Sequence, residues 1–196
     1  MNKFRRSTQE IQNPKQYKCY RYSYIVSKNK CTINGMGING FKYEKKIILD
    51  AGNSGTLGRL IIGLLIHTKN KIKIVGDKSL SKRDFSRITN PLANFGANIT
   101  TNKGGLPVTI EGTINPKPIK YFENKGSAQC KSAVMLASLN TNGTTIIKAK
   151  KSRNHTELLC KYLKLPLKVK KKKNYDLIEV EKAKKIEHLN YRIPSD

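Results

Sequence analysis

Residues 49–59 decide how this chain folds, and they read Leu49-Asp50-Ala51-Gly52-Asn53-Ser54-Gly55-Thr56-Leu57-Gly58-Arg59. The apolar run 47–49 precedes this turn and predicts a strand ending at Asp50, while the apolar run 60–66 follows it. A small-residue turn before an apolar run is typical of a buried helix, whose first backbone N–H groups have no partner within the helix. The stretch therefore predicts a strand, a tight turn and a helix with free hydrogen-bond donors at its start.

The next elements complete a first unit. Residues 71–75 alternate between charged and apolar side chains, which predicts a half-buried strand. An apolar helix face with three- and four-residue steps then ends at Gly96 and includes Phe85, Ile88, Leu92 and Phe95. Pro91 inside this pattern predicts a kink or a break, and residues 108–110 predict a closing strand.

The same order then returns, beginning with the turn Gly126-Ser127-Ala128-Gln129-Cys130-Lys131-Ser132 and the apolar run 133–139. Residues 144–148 predict a strand, as do residues 167–169 and 175–180 on either side of a lysine turn at 170–173. A capping box is predicted at Asn154, with Glu157 three residues later. The helix that it starts has an apolar side made of Leu158, Leu159, Tyr162 and Leu163.

Two similar units therefore fill most of residues 50–180. Duplicated units usually stack around a shared core with their equivalent helix ends on one side. Because a helix N-terminus carries unpaired N–H groups and a partial positive charge, two such ends close together favour an anionic ligand.

The composition leaves the class of partner open. The net charge of +26 comes from 39 Lys and Arg against 13 Asp and Glu, which fits nucleic acid, an acidic membrane surface or small polyanions. A general bias toward lysine explains it equally well. The apolar run 60–66 is too short to span a bilayer, so we expect a soluble, cytoplasmic protein. No C-x-x-C pair occurs, which predicts free thiols rather than a metal site for Cys19, Cys31, Cys130 and Cys160.

Four blocks carry a resemblance to a known family. They are residues 49–59, Gly76-Asp77-x-x-Leu80-x-x-Arg83, Gly126 to Ala133, and Ser152-Arg153-Asn154-His155-Thr156-Glu157. Their order and approximate spacing are similar to those of EPSP synthases, and the resemblance covers residues 31–196. It implies an α/β fold: an inside-out α/β barrel domain built of repeated β-α-β-α-β-β units, incomplete here, with two units visible.

The domain organisation follows from the same resemblance. We expect an unassigned basic segment at residues 1–30 and an EPSP synthase-like domain at 31–189, with repeats at about 50–112 and 125–181. Residues 190–196 resemble the start of the crossover to a second domain.

The resemblance also implies a reaction. EPSP synthases, or 3-phosphoshikimate 1-carboxyvinyltransferases, transfer the enolpyruvyl group of phosphoenolpyruvate to shikimate 3-phosphate in aromatic amino acid biosynthesis. Both substrates are anions, which cationic side chains and backbone N–H groups bind without a metal or other cofactor. The resemblance further implies a monomer for the complete enzyme and no membrane or nucleic-acid partner.

For shikimate 3-phosphate, the resemblance implies contacts from Ser127, Ala128, Gln129 and Arg153. A hydroxyl and an amide at a helix start can donate to phosphate or ring oxygens. The alternative role for Ser127 is N-capping, and that for Arg153 is simple solvation at the surface.

For phosphoenolpyruvate, the resemblance implies contacts from Gly55, Arg83 and, again, Gln129. Gly55 would permit close approach of the backbone, and Arg83 could bind a carboxylate or phosphate with two N–H groups. A simple turn and a surface ion pair are the respective alternatives.

Other nearby residues are expected to support this site rather than bind substrate: Asn53, Thr56, Arg59 and Ser152. His155 is interpreted as a structural residue at a helix start.

The chain also departs from the family. The Lys-Ser pair followed by Arg near the family's N-terminus is absent, because Lys78-Ser79 belongs to the Gly76 block. The acidic general base and several cationic ligands belong to a part of the family sequence with no counterpart here. No catalytic residue is therefore assigned, and we expect a truncated chain that is inactive alone.

Two other functions remain open. The charge favours a basic nucleic-acid-binding protein, although no aromatic stacking platform or known binding motif supports it. A UDP-N-acetylglucosamine enolpyruvyl transferase would share the architecture, but its sugar-nucleotide site does not predict the block at residues 152–157.

Overall fold

The structure, a computed structural model, describes residues 23–27, 30–35, 37 and 47–192. Near the start, β1 (Ser23–Ser27) and β2 (Lys30–Asn34) pair as an antiparallel hairpin. The rest of the segment predicted to be unassigned, residues 1–22 and 28–29, lies outside the described residues, as do residues 193–196 of the predicted crossover. The domain boundaries remain predictions.

The first unit contains one four-stranded sheet and three helices. Its elements are β3 (Ile47–Asp50), α1 (Gly55–Leu65), β4 (Lys71–Val75), α2 (Lys78–Ser81), α3 (Ser86–Ala93), β5 (Asn98–Asn102) and β6 (Gly105–Glu111). The strand order is β3-β4-β6-β5, with β3 parallel to β4 and the other pairs antiparallel.

The second unit repeats this arrangement. Its elements are β7 (Lys120–Glu123), α4 (Ala128–Ser138), β8 (Thr145–Lys150), α5 (His155–Tyr162), β9 (Leu167–Lys171) and β10 (Tyr175–Val180). The strand order β7-β8-β10-β9 again joins the first two strands in parallel and the others antiparallel. Each unit thus places its strands in the order first, second, fourth, third, as expected for a duplicated β-α-β-α-β-β unit.

Strand alternation directs one face of each sheet toward the helices. In β3, Ile47 is buried whereas its neighbour Ile48 is 64% exposed, because successive side chains of a strand point to opposite faces. In β4 the buried positions are Ile72 and Ile74. The core therefore lies between the sheets and the helices.

Helices α1 and α4 pack against each other backbone to backbone. A Cβ added to Gly63 would lie only 2.3 Å from the carbonyl oxygen of Ala133, so a glycine is required at this contact. Nearer the helix C-termini, His67 Nε2 lies 2.9 Å from the carbonyl oxygen of Ala137. Because contacts advance along both helices together, the two helices run parallel and begin at the same end of the molecule.

Helix α3 continues through Pro91 to Ala93, so of the kink or break predicted at this proline, the break does not occur. The expectation for the second helix of the other unit was wrong. The predicted apolar side of α5 is largely exposed, with Leu158 at 55% and Tyr162 at 61%.

The predicted capping box at α5 is also wrong. The side chain of Asn154 makes no capping hydrogen bond. Glu157 pairs with Lys131 instead, so its carboxylate points into the protein rather than back to the helix start. Among the described residues, no helix has the length and apolar character needed to cross a membrane.

Candidate functional site

The turn before α1 is held by its neighbours in the first unit. Gly52 has a φ of +54°, a left-handed conformation that favours glycine, and its N–H donates to Asp50 Oδ1 at 2.8 Å. Ser54 then caps α1 by accepting a hydrogen bond from the N–H of Leu57 at 3.2 Å. These contacts fix the direction in which the first N–H groups of α1 point.

A second loop supports this turn. The N–H of Asp77 donates to the carbonyl oxygen of Gly52 at 2.8 Å, and the side-chain amide of Asn53 donates to the Asp77 carboxylate. Asp77 also caps α2 by accepting from the N–H of Leu80 at 2.7 Å. The Leu80 N–H, and then the Asn53 amide, lower the pKa of Asp77. Asn53 thus contacts the supporting loop, in keeping with its predicted supporting role.

Two guanidinium groups lie against the first residue of α1. A Cβ on Gly55 would be 3.1 Å from Arg83 Nη1 and 3.3 Å from Arg59 Nη1. Arg59 is itself positioned by the Phe85 ring, whose centroid lies 5.3 Å from the guanidinium carbon, and by the carbonyl oxygen of Asp84 at 3.4 Å. Arg83 is exposed. The helix start therefore has two cations beside it and no side chain at Gly55 to separate them from it.

Gln129 joins the two units. Its Oε1 accepts a hydrogen bond from Arg59 Nη1 at 2.8 Å, and its Nε2 donates to Thr56 Oγ1 at 2.9 Å. Gln129 lies in the first turn of α4, and both partners lie in the early turns of α1. The structure thus brings Gly55, Arg83 and Gln129 into one place, together with Thr56 and Arg59.

The start of α4 is held by a buried carboxylate that the sequence analysis missed. Glu123 lies at the end of β7 and is buried. Its Oε2 accepts from the N–H of Ser127 at 2.8 Å, and its Oε1 accepts from Lys125 N at 3.2 Å and from Arg87 Nη2 at 3.3 Å. An acidic residue at the end of a strand, just before a glycine turn, was the only sequence signal for this role.

Ser127 performs the N-capping that was its alternative role. Its hydroxyl oxygen accepts from the N–H of Cys130 at 3.3 Å. Since a hydroxyl can donate while it accepts, capping is compatible with a ligand contact. Ala128 is the first residue of α4, so it offers a backbone N–H rather than a functional side chain. The substrate roles of both residues remain predictions.

The main chain of Arg153 contacts the same helix. Its carbonyl oxygen accepts a hydrogen bond from Lys131 Nζ at 3.1 Å, and its side chain is exposed. The neighbouring Ser152 Oγ is buried and has no hydrogen-bond partner among the described residues. The main chain at Arg153 is therefore fixed to the first turn of α4, whereas the contribution of its guanidinium to a ligand remains a prediction.

The charge of the site is positive. Of the described residues, none in the first turn of α1 or α4 is acidic. Two parallel helix N-termini and the guanidinium groups of Arg59 and Arg83 therefore converge, and neither helix carries an acidic side chain in its first turn. Such an arrangement can bind phosphate and carboxylate groups and can offset the repulsion between two anions held side by side.

Comparison with known proteins agrees with this architecture. The model of the family EPSP synthase (3-phosphoshikimate 1-carboxyvinyltransferase) matches residues 22–196. The 3-phosphoshikimate 1-carboxyvinyltransferase of Paracoccus denitrificans is 46% identical over 127 residues, which is 64% of this chain and 28% of that protein. The Bradyrhizobium protein of the same name is 45% identical over 134 residues, covering 67% of this chain and 30% of its own length.

A solved structure gives the same result for the fold. The EPSP synthase from Acinetobacter baumannii superimposes with a TM-score of 0.78 at 35% identity, over 90% of this chain and 39% of that one. This likeness confirms the predicted fold class. The chain spans 28–30% of the length of the two curated relatives described above. By the match over residues 22–196 and by its fold, the chain belongs to the EPSP synthase family.

Proposed function

We propose that this chain provides substrate-binding residues for enolpyruvyl transfer from phosphoenolpyruvate to shikimate 3-phosphate. The observation that carries the proposal is the Gln129 side chain, which links the starts of two parallel helices beside Arg59 and Arg83. The names of the relatives supply the reaction, and the positive helix starts supply a physical reason for binding its two anionic substrates.

Each group has a defined part in this proposal. Ser127, Ala128, Gln129 and Arg153 bind shikimate 3-phosphate, while Gly55, Arg83 and Gln129 bind phosphoenolpyruvate. Gln129 belongs to both sets because its amide lies between the two helix starts. The site thereby holds the hydroxyl acceptor and the enolpyruvyl donor together, which replaces a bimolecular encounter by a fixed orientation.

The residues assigned here bind and orient, and no proton transfer is assigned to them. Two carboxylates in this region have structural partners: Glu123 accepts from the N–H of Ser127, and Asp77 accepts from the N–H of Leu80. Both hold helix starts in place. Binding, rather than turnover, is therefore the property to measure on these 196 residues.

Calorimetric titration with shikimate 3-phosphate, followed by phosphoenolpyruvate, tests the proposal. We expect saturable binding of shikimate 3-phosphate, weakened about tenfold or more by Arg153→Ala and by Gln129→Ala, because each removes a hydrogen bond to a charged group. Arg83→Ala should weaken the binding of phosphoenolpyruvate rather than that of shikimate 3-phosphate. Lys170→Ala is the matched control, since Lys170 is an exposed cation on β9.

Other ligands separate the alternatives. RNA binding that declines steeply with salt, combined with no response to shikimate 3-phosphate, contradicts the proposal. Binding of UDP-N-acetylglucosamine in its place indicates the other enolpyruvyl transferase. We also infer a cytoplasmic location and a monomeric complete enzyme, which cell fractionation and size-exclusion chromatography of a full-length family member would check.

A further inference from the structure

A buried ion pair joins the first turns of α4 and α5. Lys131 Nζ lies 2.5 Å from Glu157 Oε1, and the two side chains are only 1% and 7% exposed. Removing two charges from water is costly, and an apolar pair of similar volume often stabilises a protein as well or better. Stability alone therefore gives a weak reason for this pair.

The geometry around Lys131 shows what the pair accomplishes. The same ammonium that meets Glu157 also donates to the carbonyl oxygen of Arg153 at 3.1 Å. One residue further along α4, Ser132 Oγ lies 2.7 Å from Thr156 Oγ1. Helix α4 thus holds the Arg153 carbonyl and the side chains of Thr156 and Glu157 from two successive positions in its first turns.

These contacts lie directly beside the residues that are proposed to bind the substrate. Lys131 follows Gln129 by two residues, and the residue whose carbonyl it binds carries the Arg153 guanidinium. An ammonium has three tetrahedral donors, so one group can pair with Glu157 Oε1 and donate to the Arg153 carbonyl at the same time. An apolar side chain at position 131 would leave the carbonyl without this donor.

We propose that Lys131, oriented by Glu157, is a positioning residue that sets where Arg153 stands relative to the Ser127–Gln129 helix start. The inference rests on the proposed function, because it assigns the pair to the binding of the same phosphorylated substrate. Lys131 touches no ligand in this role. It acts on affinity through the Arg153 main chain.

The test replaces both charges at once. In Lys131→Met/Glu157→Met, two unbranched apolar side chains fill the volume without leaving an unpaired charge. We expect the thermal unfolding midpoint to stay near that of the wild type while the Kd for shikimate 3-phosphate rises about tenfold, the size of effect that corresponds to one well-placed contact. If the methionine pair lowers the midpoint, Lys131→Gln/Glu157→Gln, whose amides can bond each other, provides the same comparison.

A cycle with Arg153→Ala identifies the route of the effect. If Lys131 acts through Arg153, then replacing the pair in an Arg153→Ala background causes no further loss of affinity. The control is the exposed pair Lys170→Ala/Glu179→Ala, which should leave the Kd unchanged.

The outcomes are distinct. An unchanged Kd in a folded double variant, or an equal loss with and without the Arg153 guanidinium, overturns the positioning role and leaves the proposed function intact. Absence of saturable shikimate 3-phosphate binding to the wild type overturns the proposed function, and the positioning role with it.

Discussion

Helices α3 and α5 occupy the same place in their units but have different surroundings. Helix α3 buries Ile88 and Leu92 and packs against α4, the first helix of the other unit. Helix α5 leaves Leu158 and Leu159 exposed, and its main neighbour among the described elements is β9. In this chain, the apolar side of the second helix of a unit is buried where the first helix of the other unit packs against it, and is exposed where no such helix packs.

The two helices are consequently held by different forces. Burial of apolar side chains holds α3, and burial is the dominant favourable term in folding. Helix α5 buries one apolar side chain, that of Cys160. Its contacts with α4 include the Lys131–Glu157 pair and the Ser132–Thr156 hydrogen bond. We expect the same substitution to have unequal effects in the two helices.

The largest expected effect compares one substitution at two positions. Leu92→Ala in α3 should lower the free energy of unfolding by about 2–5 kcal/mol, because a fully buried side chain is replaced by a cavity. Leu158→Ala in α5 should change it by less than about 0.5 kcal/mol, since this side chain is exposed. Urea unfolding measures both, and similar losses at the two positions would show that α5 is packed after all.

The next effect concerns the contact between α1 and α4, on which both units depend. Gly63→Ala should destabilise by about 1–3 kcal/mol, because its Cβ would overlap the Ala133 carbonyl oxygen and force the helices apart. Gly58→Ala in the same helix is the control. Its Cβ would meet Ala51 and Phe85 at 3.4 Å, and alanine favours the helix by up to about 1 kcal/mol. A stabilising Gly63→Ala would contradict the close packing.

A smaller effect compares two side-chain hydrogen bonds of α4, one to α5 and one to α1. Thr156→Val removes the half-buried hydrogen bond to Ser132 and should cost about 1 kcal/mol. Thr56→Val removes the exposed hydrogen bond from Gln129 and should cost less than about 0.5 kcal/mol. Thermal unfolding of the two isosteric variants checks the order, and the reverse order would mean that α4 is tied more firmly to the first unit.

The smallest effect is a pH dependence at the opposite ends of α1 and α4. Burial lowers the pKa of His67 below its ordinary value of 6.5, with Lys182 adding to the shift and the Ala137 hydrogen bond opposing it. The unfolded chain therefore takes up a proton that the folded chain resists. Stability should fall as the pH drops below about 6.5 toward the lower pKa of the folded state.

Replacing His67 isolates this contribution. His67→Gln, whose amide can still donate to Ala137, should flatten the fall in unfolding midpoint between neutral and acidic buffers. His155→Gln at an exposed position is the control. A profile that His67→Gln leaves unchanged would assign the acid sensitivity to other groups.

Much of the fold was predictable from local patterns. The alternation of charged and apolar side chains predicted β4, and the small-residue turns predicted α1 and α4. These signals depend only on residues that are neighbours in the chain. Strands β5 and β7 were missed. β5 has Ile99 as its single large apolar residue, and β7 begins and ends with charged residues. Both are recognisable as strands mainly through the partners that bind them.

The residues proposed to bind substrate could be predicted from the sequence, whereas the buried carboxylates that hold the helix starts in place could not. The resemblance supplied Gly55, Arg83 and Gln129, and the structure brings these three together. Glu123 was missed, and Glu157 was assigned to a capping box that does not form. Each of these carboxylates has a partner from a distant part of the chain, Arg87 for Glu123 and Lys131 for Glu157, and such a partner leaves no signal in the neighbouring sequence.

Local patterns in the sequence were sufficient to locate the glycine turns and most of the helices and strands, and to show that two similar units follow one another. Tertiary structure alone decided that α3 is covered while α5 is not, and that Lys131 is buried against Glu157. Turn and strand preferences arise within a few residues, whereas burial and charge pairing depend on groups that only folding brings into contact.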